Sequence, residues 1–188
     1  SRVFQLSHNI IKIKNLISNE YIEDELTDAA GTVQFSQDSQ SLIYSLLQDD
    51  KWRTLSVNVH KLATKQSTDK VLLSETDESF FLDFYLTSSS DYVVIQTGNS
   101  ITNEVSVVSM ADLSQVPRGL NKREQNFLLQ VDHGNEHFYL LANDTHTNFR
   151  LAKVADNHAI YDHWQDVIPD CDTRYITGMQ LFKDNLAL

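Results

Sequence analysis

The chain has 188 residues, 41% of them hydrophobic, enough to bury one sizeable core and too apolar for a disordered segment. Asp and Glu number 26 against 15 Lys and Arg, a net charge of -11 that repels phosphate backbones and anionic headgroups. Nucleic acid and membrane surfaces are therefore not expected as partners.

Taken in chain order, the dominant pattern is short and period-two. "NIIKIKNL" (Asn9 to Leu16), "SLIYSLL" (Ser41 to Leu47), "TLSVNVHKL" (Thr54 to Leu62) and "KVLLSE" (Lys70 to Glu75) come first. "FFLDFYL" (Phe80 to Leu86), "YVVIQT" (Tyr92 to Thr97), "EVSVVSM" (Glu104 to Met110), "FLLQVD" (Phe127 to Asp132), "HFYLLAN" (His137 to Asn143) and "FRLAKV" (Phe149 to Val154) follow. Runs rich in Val, Ile, Tyr, Phe and Thr, bounded by Ser, Asn, Asp and Gly, predict strands. The one helical candidate, "AIYDHWQDV" (Ala159 to Val167), is brief and reads equally as an extended segment packing Trp164.

Aligned on their polar corners, four stretches share one layout: an apolar run, a corner, a second apolar run. They are "QFSQDSQSLIYSLL", "FYLTSSSDYVVIQT", "LLQVDHGNEHFYLL" and "GMQLFKDNLAL", starting at Gln34, Phe84, Leu128 and Gly178, at spacings of 50, 44 and 50 residues. Four strands per repeat at this period is the mark of a propeller blade; a two-sheet sandwich with regular hairpins is the rival. The expected fold is all-β: a partial β-propeller of about three four-stranded antiparallel blades, with incomplete ones at both ends. Residues 27–78, 79–124 and 125–177 are the expected blades, 1–26 the end of one and 178–188 the start of another.

Several residues invite a chemical reading. Ser36, Asp38 and Ser39 in "FSQDSQSLIY" put hydroxyls beside a carboxylate, but their counterparts Ser88 to Asp91, Asp132 to Asn135 and Lys183 to Asn185 are other polar residues, so a turn is expected. "HGNEH" sets His133 and His137 four apart around Glu136; on a helix this would suggest a metal pair, but Gly134-Asn135 reads as a hairpin turn. "DHWQDVIPDCD" (Asp162 to Asp172) gathers four carboxylates with His163 and Cys171, yet without a second Cys/His pair it reads as an acidic loop. Phe80, Phe81, Phe84, Tyr85 and Tyr92 are expected in the core rather than as a stacking platform.

A lone cysteine, Cys171, cannot form an internal disulfide, and no apolar run approaches the roughly 20 residues of a membrane span. A cytoplasmic setting is expected, where the sequon at Asn143 to Thr145 has no consequence. The amino end has no signal-peptide pattern. The chain opens on Ser1-Arg2 and stops within "DNLAL", which suggests a piece of a longer protein.

"AGTVQFSQDSQSLIY", "RTLSVNVHKL", "STDKVLLSETDESFFLDFYLTSSSDYVVI", "TNEVSVVSMAD", "GNEHFYLLAND" and "TNFRLAKV" occur in an order that resembles the prolyl oligopeptidase family of serine peptidases, oligopeptidase B (protease II) above all. The resemblance covers Asp28 to Val154 well and the rest more loosely. Phe35 stands where tryptophan is common, Ala63 where glycine is common, and "VPRGLNKREQNF" (Val116 to Phe127) keeps only part of a basic stretch. The resemblance implies a seven-bladed propeller capping an α/β-hydrolase domain, and a parent that cleaves short peptides after Arg or Lys.

The nucleophile elbow GxSxG is missing, because no two of Gly31, Gly98, Gly119, Gly134 and Gly178 lie four apart. No catalytic, cofactor-binding or metal-binding residue is assigned, and no cofactor is expected. The expected role is noncatalytic gating and size selection, with oligopeptide substrates and the C-terminal hydrolase domain as partners; the alternative is a scaffold that binds a protein partner. Exposed blade edges are expected to promote self-association.

Overall fold

The structure is a computed structural model that describes residues 9–48 and 52–188. The first eight residues of the expected 1–26 blade end lie outside the described residues. The chain divides into two compact units, Ser1–Phe84 and Tyr85–Leu188.

In the first unit, β1 (Ile10–Lys14) and β2 (Tyr21–Thr27) form a two-stranded sheet. Next comes a four-stranded antiparallel sheet in sequence order: β3 (Ala29–Phe35), β4 (Ser41–Leu47), β5 (Thr54–Lys61) and β6 (Lys70–Ser74). Sequence reading missed β2, because "YIEDELT" is dominated by carboxylates. Its alternation supplies the missing signal: Asp24 and Leu26 are buried while Glu23, Glu25 and Thr27 are exposed. Leu26, Ala29, Leu42 and Tyr44 form the centre of this unit's core.

Two further four-stranded sheets follow, again in sequence order, the opening strand of the first of them running across the division at Phe84 and the other strands belonging to the second unit. One comprises β7 (Phe81–Leu86), β8 (Tyr92–Gly98), β9 (Asn103–Ser109) and β10 (Arg118–Gly119); the other β11 (Leu129–Gly134), β12 (His137–Ala142), β13 (Arg150–Ala155) and β14 (Gln165–Ile168). β15 (Gln180–Leu181) and β16 (Leu186–Ala187) pair as a two-stranded sheet. Val94, Val105 and Val107 pack against Leu129, Phe138 and Leu140 in a core between the two larger sheets. Central strands such as "YVVIQT" are apolar on consecutive positions because both faces are covered.

Helical structure among the described residues is confined to three single 3-10 turns, Gln66–Thr68, Asp156–His158 and Tyr161–His163. The helical candidate at Ala159 to Val167 is thus one such turn followed by β14. Trp164 packs between Tyr161, at 4.8 Å between ring centroids, and the Arg150 guanidinium, at 5.7 Å.

Two expectations need correction. Gly134 pairs with His137, so the turn of that hairpin is Asn135-Glu136, with φ of 51° and 60°, rather than Gly134-Asn135. Gly134 is needed for a different reason: a Cβ there would lie 2.8 Å from Leu181 Cδ2. Among the aromatic residues expected in the core, Phe84 is buried but Phe81 is 68% exposed. Strand alternation turns Phe81 to the face opposite Leu82 and Phe84.

Candidate functional site

The hydroxyl-carboxylate cluster at Ser36 is a corner between β3 and β4. Ser36 Oγ donates to Asp38 Oδ1 at 2.6 Å and accepts from the Ser41 amide at 2.9 Å, while the Ser36 amide donates to the Ser41 carbonyl. Ser39 takes φ of 56°. The same figure recurs 51 residues on: Thr87 Oγ1 accepts from the Tyr92 amide at 3.2 Å and contacts Ser89 Oγ at 3.1 Å, and Ser90 takes φ of 64°. Hydrogen bonds from the Ser36 hydroxyl and the Gln40 amide hold the Asp38 carboxyl below its ordinary value. A carboxylate so stabilised is a weaker base, the opposite of what abstraction of a serine proton requires.

The second corner carries a constellation that sequence reading missed. Ser89 Oγ lies 2.8 Å from His133 Nδ1, and His133 Nε2 lies 3.6 Å from Asp156 Oδ2. Serine, histidine and aspartate come from three segments, so no local motif announces them. His133 is 2% exposed, wedged between the rings of Tyr92 and Phe138. Substrate has no route to this imidazole, and Ser89 Oγ also accepts from the Asp91 amide. Ser88 donates from its amide and hydroxyl to the Asp132 carboxylate at 2.7 and 2.6 Å, and the Ser89 amide donates to the His133 carbonyl. These bonds tie the β7–β8 corner to β11.

Burial holds the His133 imidazole below its ordinary 6.5, although Asp156 and Asp91 oppose the shift. The unfolded chain therefore binds the proton more readily, so this residue's contribution is complete above about pH 6.5 and is lost as pH falls through the folded-state value. His133→Gln is expected to lower stability by about 1–2 kcal/mol at about pH 8, with the deficit relative to the parent chain shrinking toward about pH 5. Urea titrations across that range check this; a deficit that is constant or grows on acidification would overturn it.

The metal-like motifs disperse. His133 and His137 lie on adjacent strands, where His133 pairs with Phe138, so the two imidazoles occupy opposite faces of the sheet. Of the acidic loop, Asp166 accepts from Arg150 Nη1 at 2.6 Å, Asp170 accepts from Thr145 Oγ1, and Asp172 lies 3.0 Å from His146 Nε2. Among the described residues, no three His, Cys, Asp or Glu side chains are gathered as a metal site. The sequon residue Asn143 is a bracket: its Oδ1 accepts from the Leu128 amide and its Nδ2 donates to the Asn126 carbonyl.

A concavity of about 940 Å³ lies within the second unit and is lined by residues of β9, the β10–β11 link, the β12–β13 loop and the Tyr161 turn. It presents Glu104, Glu124, Asp144 and Asp162 beside Phe127 and Tyr161. Glu104 is paired with Arg123 at 3.3 Å, and Asp144 accepts from Arg150 Nε and Nη2 and from the Tyr161 hydroxyl. Burial is the largest single influence on the Asp144 carboxyl and pushes it up, but the hydrogen bonds from Arg150 and Tyr161 together with the Arg150 charge outweigh it and hold the carboxyl below its ordinary value. The lining of the cleft also holds Lys122 and His146, and two of its four carboxylates, Glu104 and Asp144, are already paired with arginines. Its lining comes from four separate segments, which is why sequence spacing did not reveal it.

Successive four-stranded antiparallel sheets, each meandering in sequence order, define a partial β-propeller. The family model described as the prolyl oligopeptidase N-terminal beta-propeller domain matches residues 7–188, and the chain belongs to this family. It is 25% identical over 173 residues to dipeptidyl aminopeptidase BI of Pseudoxanthomonas mexicana, covering 92% of this chain and 24% of that protein. It is 21% identical over 180 residues to protease 2 of Moraxella lacunata, covering 95% and 26%. Oligopeptidase B from Leishmania major superposes with a TM-score of 0.77 at 21% identity, covering 86% of this chain and 23% of that one. The chain thus spans about a quarter of the length of the relatives it matches. Among the described residues, no helix is long and apolar enough to cross a membrane.

Proposed function

We propose that the chain is the noncatalytic propeller segment of a cytoplasmic serine peptidase resembling oligopeptidase B, which cleaves short peptides after Arg or Lys. The observation that carries this reading is the family match along residues 7–188 together with the run of four-stranded sheets. The nucleophile elbow, absent from this sequence, would lie in a C-terminal α/β-hydrolase domain that the propeller covers. There it would act as a gate, admitting flexible oligopeptides and excluding folded proteins. The net charge of -11 supports steering of cationic peptides toward it.

The 188-residue chain by itself is expected to leave an arginine-containing reporter peptide uncleaved. The full-length parent is expected to cleave that reporter while sparing a folded protein with exposed arginines. Turnover by the isolated chain that a serine-directed reagent blocks would overturn the noncatalytic assignment. Comparable cleavage of peptide and folded protein by the parent would overturn size selection.

A further inference from the structure

A second, smaller pocket of about 320 Å³ opens at the end of the third complete sheet, and its chemistry is opposite to that of the chain as a whole. It is lined by His137 from β12, Lys153 from β13, His158 and His163 from the two 3-10 turns, and Gln165 from β14, with Val154 and Ala155. In a chain with 26 carboxylate side chains, none belongs to this lining.

The exclusion is built by the fold, because "ADNHAIYDHWQD" alternates acids with histidines. Asp156 is directed at the His133 Nε2 and the Tyr92 hydroxyl, 3.6 and 3.5 Å away. Asp162 lines the large cleft, and Asp166 is paired with Arg150 at 2.6 Å. Glu136, in the turn before His137, is not part of the lining. Asp132, on the same sheet face as His137, accepts from the Ser88 amide and hydroxyl; none of these carboxylates belongs to the lining, while the basic groups share one opening.

Two of the imidazoles are already oriented. His137 Nδ1 lies 2.7 Å from the Asn135 carbonyl, and His158 Nδ1 lies 2.7 Å from Asn157 Oδ1. Both acceptors fix the proton on Nδ1 and leave Nε2 as the atom that gains a proton and becomes a donor on acidification. The His158 and His163 rings stand 5.8 Å apart between centroids, a gap that an anion bridging two imidazolium groups can span. Lys153, half-buried, supplies a permanent charge on the same face.

We propose that this pocket binds a phosphate-type oxyanion, held by Lys153 at every pH and clamped by His137, His158 and His163 when they are protonated. Binding would link the anion to acidification: the site is weak when the imidazoles are neutral and strong when they carry charge. The same ligand chemistry could come from a free polyphosphate or from a phosphorylated peptide.

The test is a pyrophosphate titration of the whole chain, in chelator-containing buffer, followed by calorimetry and by the histidine ring proton resonances. Binding is expected to be about tenfold or more tighter at about pH 5.5 than at about pH 8. Lys153→Gln is expected to weaken it severalfold at both pH values. The double variant His158→Asn, His163→Asn is expected to lose most of the pH dependence and keep the weak Lys153-dependent component. These side chains are exposed or half-buried, and unchanged circular dichroism establishes that the variants fold. Affinity that ignores these substitutions, pH dependence that survives the double variant, or uptake of zinc with no affinity for pyrophosphate would each overturn the proposal. A phosphopeptide competing as well as pyrophosphate points to the peptide source, and competition by polyphosphate alone to the free anion; both support the site.

Discussion

Asp69→Ala is expected to reduce the unfolding free energy by about 3–5 kcal/mol, the cost of breaking a buried charge-assisted pair from one side. Asp69 Oδ1 lies 2.7 Å from Nδ1 of His60, which is fully buried, and Asp69 Oδ2 accepts from the Tyr44 hydroxyl at 2.8 Å. On the other side of the imidazole, Asp24 Oδ2 stands 3.4 Å from His60 Nε2 and accepts from the Ala63 amide at 2.7 Å. The network joins β2 to the β3–β6 sheet through the interior of the first unit. Burial, more than the neighbouring carboxylate, pushes the Tyr44 hydroxyl up to about 12, so it remains a donor to Asp69 across the working pH range. Alanine would leave two buried donors without their acceptor. Asp69→Asn keeps one acceptor oxygen toward His60 and is expected to cost roughly a third as much. Urea unfolding of both variants checks this, and a near-neutral Asp69→Ala would show that the network contributes nothing to holding β2 in place.

Arg53→Met is expected to cost about 2–4 kcal/mol and to loosen the link between β6 and β7. Arg53 is 9% exposed, and its guanidinium donates to the carbonyls of Glu75, Asp77 and Phe80 and to Gln48 Oε1. One planar fork thus gathers three backbone carbonyls of the β6–β7 link, that of Asp77 also accepting from the Phe80 amide. Arg53→Lys should recover only part of the loss, because an ammonium cannot reproduce that geometry. Hydrogen exchange adds a local readout: amide protection between residues 75 and 80 should fall in Arg53→Met. Unchanged protection there together with a loss below about 1 kcal/mol would reject the role.

Much of the sheet structure was legible because it rests on local rules. Short apolar runs rich in β-branched and aromatic residues placed β4, β5, β8, β9 and β12, and the polar corners exposed the repeat. The corner at Ser36 also carried its own answer: serine, aspartate and a residue of positive φ satisfy the backbone within six residues, and Thr87 to Tyr92 repeat the figure with different side chains. β2 was missed because three carboxylates masked its inward face, and the two-residue β10 because its pairing to β9 owes nothing to local pattern. At Ala63, where the resemblance leads glycine to be expected, the backbone gives that expectation a physical reason. The residue takes φ of 61°, where glycine is unstrained, and its amide is held by Asp24.

The candidate sites divide along the same line. From the sequence alone came the all-β class, the blade period, the acidic charge and the absence of a nucleophile elbow, all properties of composition or of spacings below about fifty residues. Only the tertiary structure brought Ser89 to His133 and to Asp156, dispersed the carboxylates of "DHWQDVIPDCD" and gathered His137, His158 and His163 with Lys153. The reason is physical: alternation determines which face a side chain takes. Which distant groups meet on that face depends on how loops fold back over the sheets, and a local pattern does not encode that.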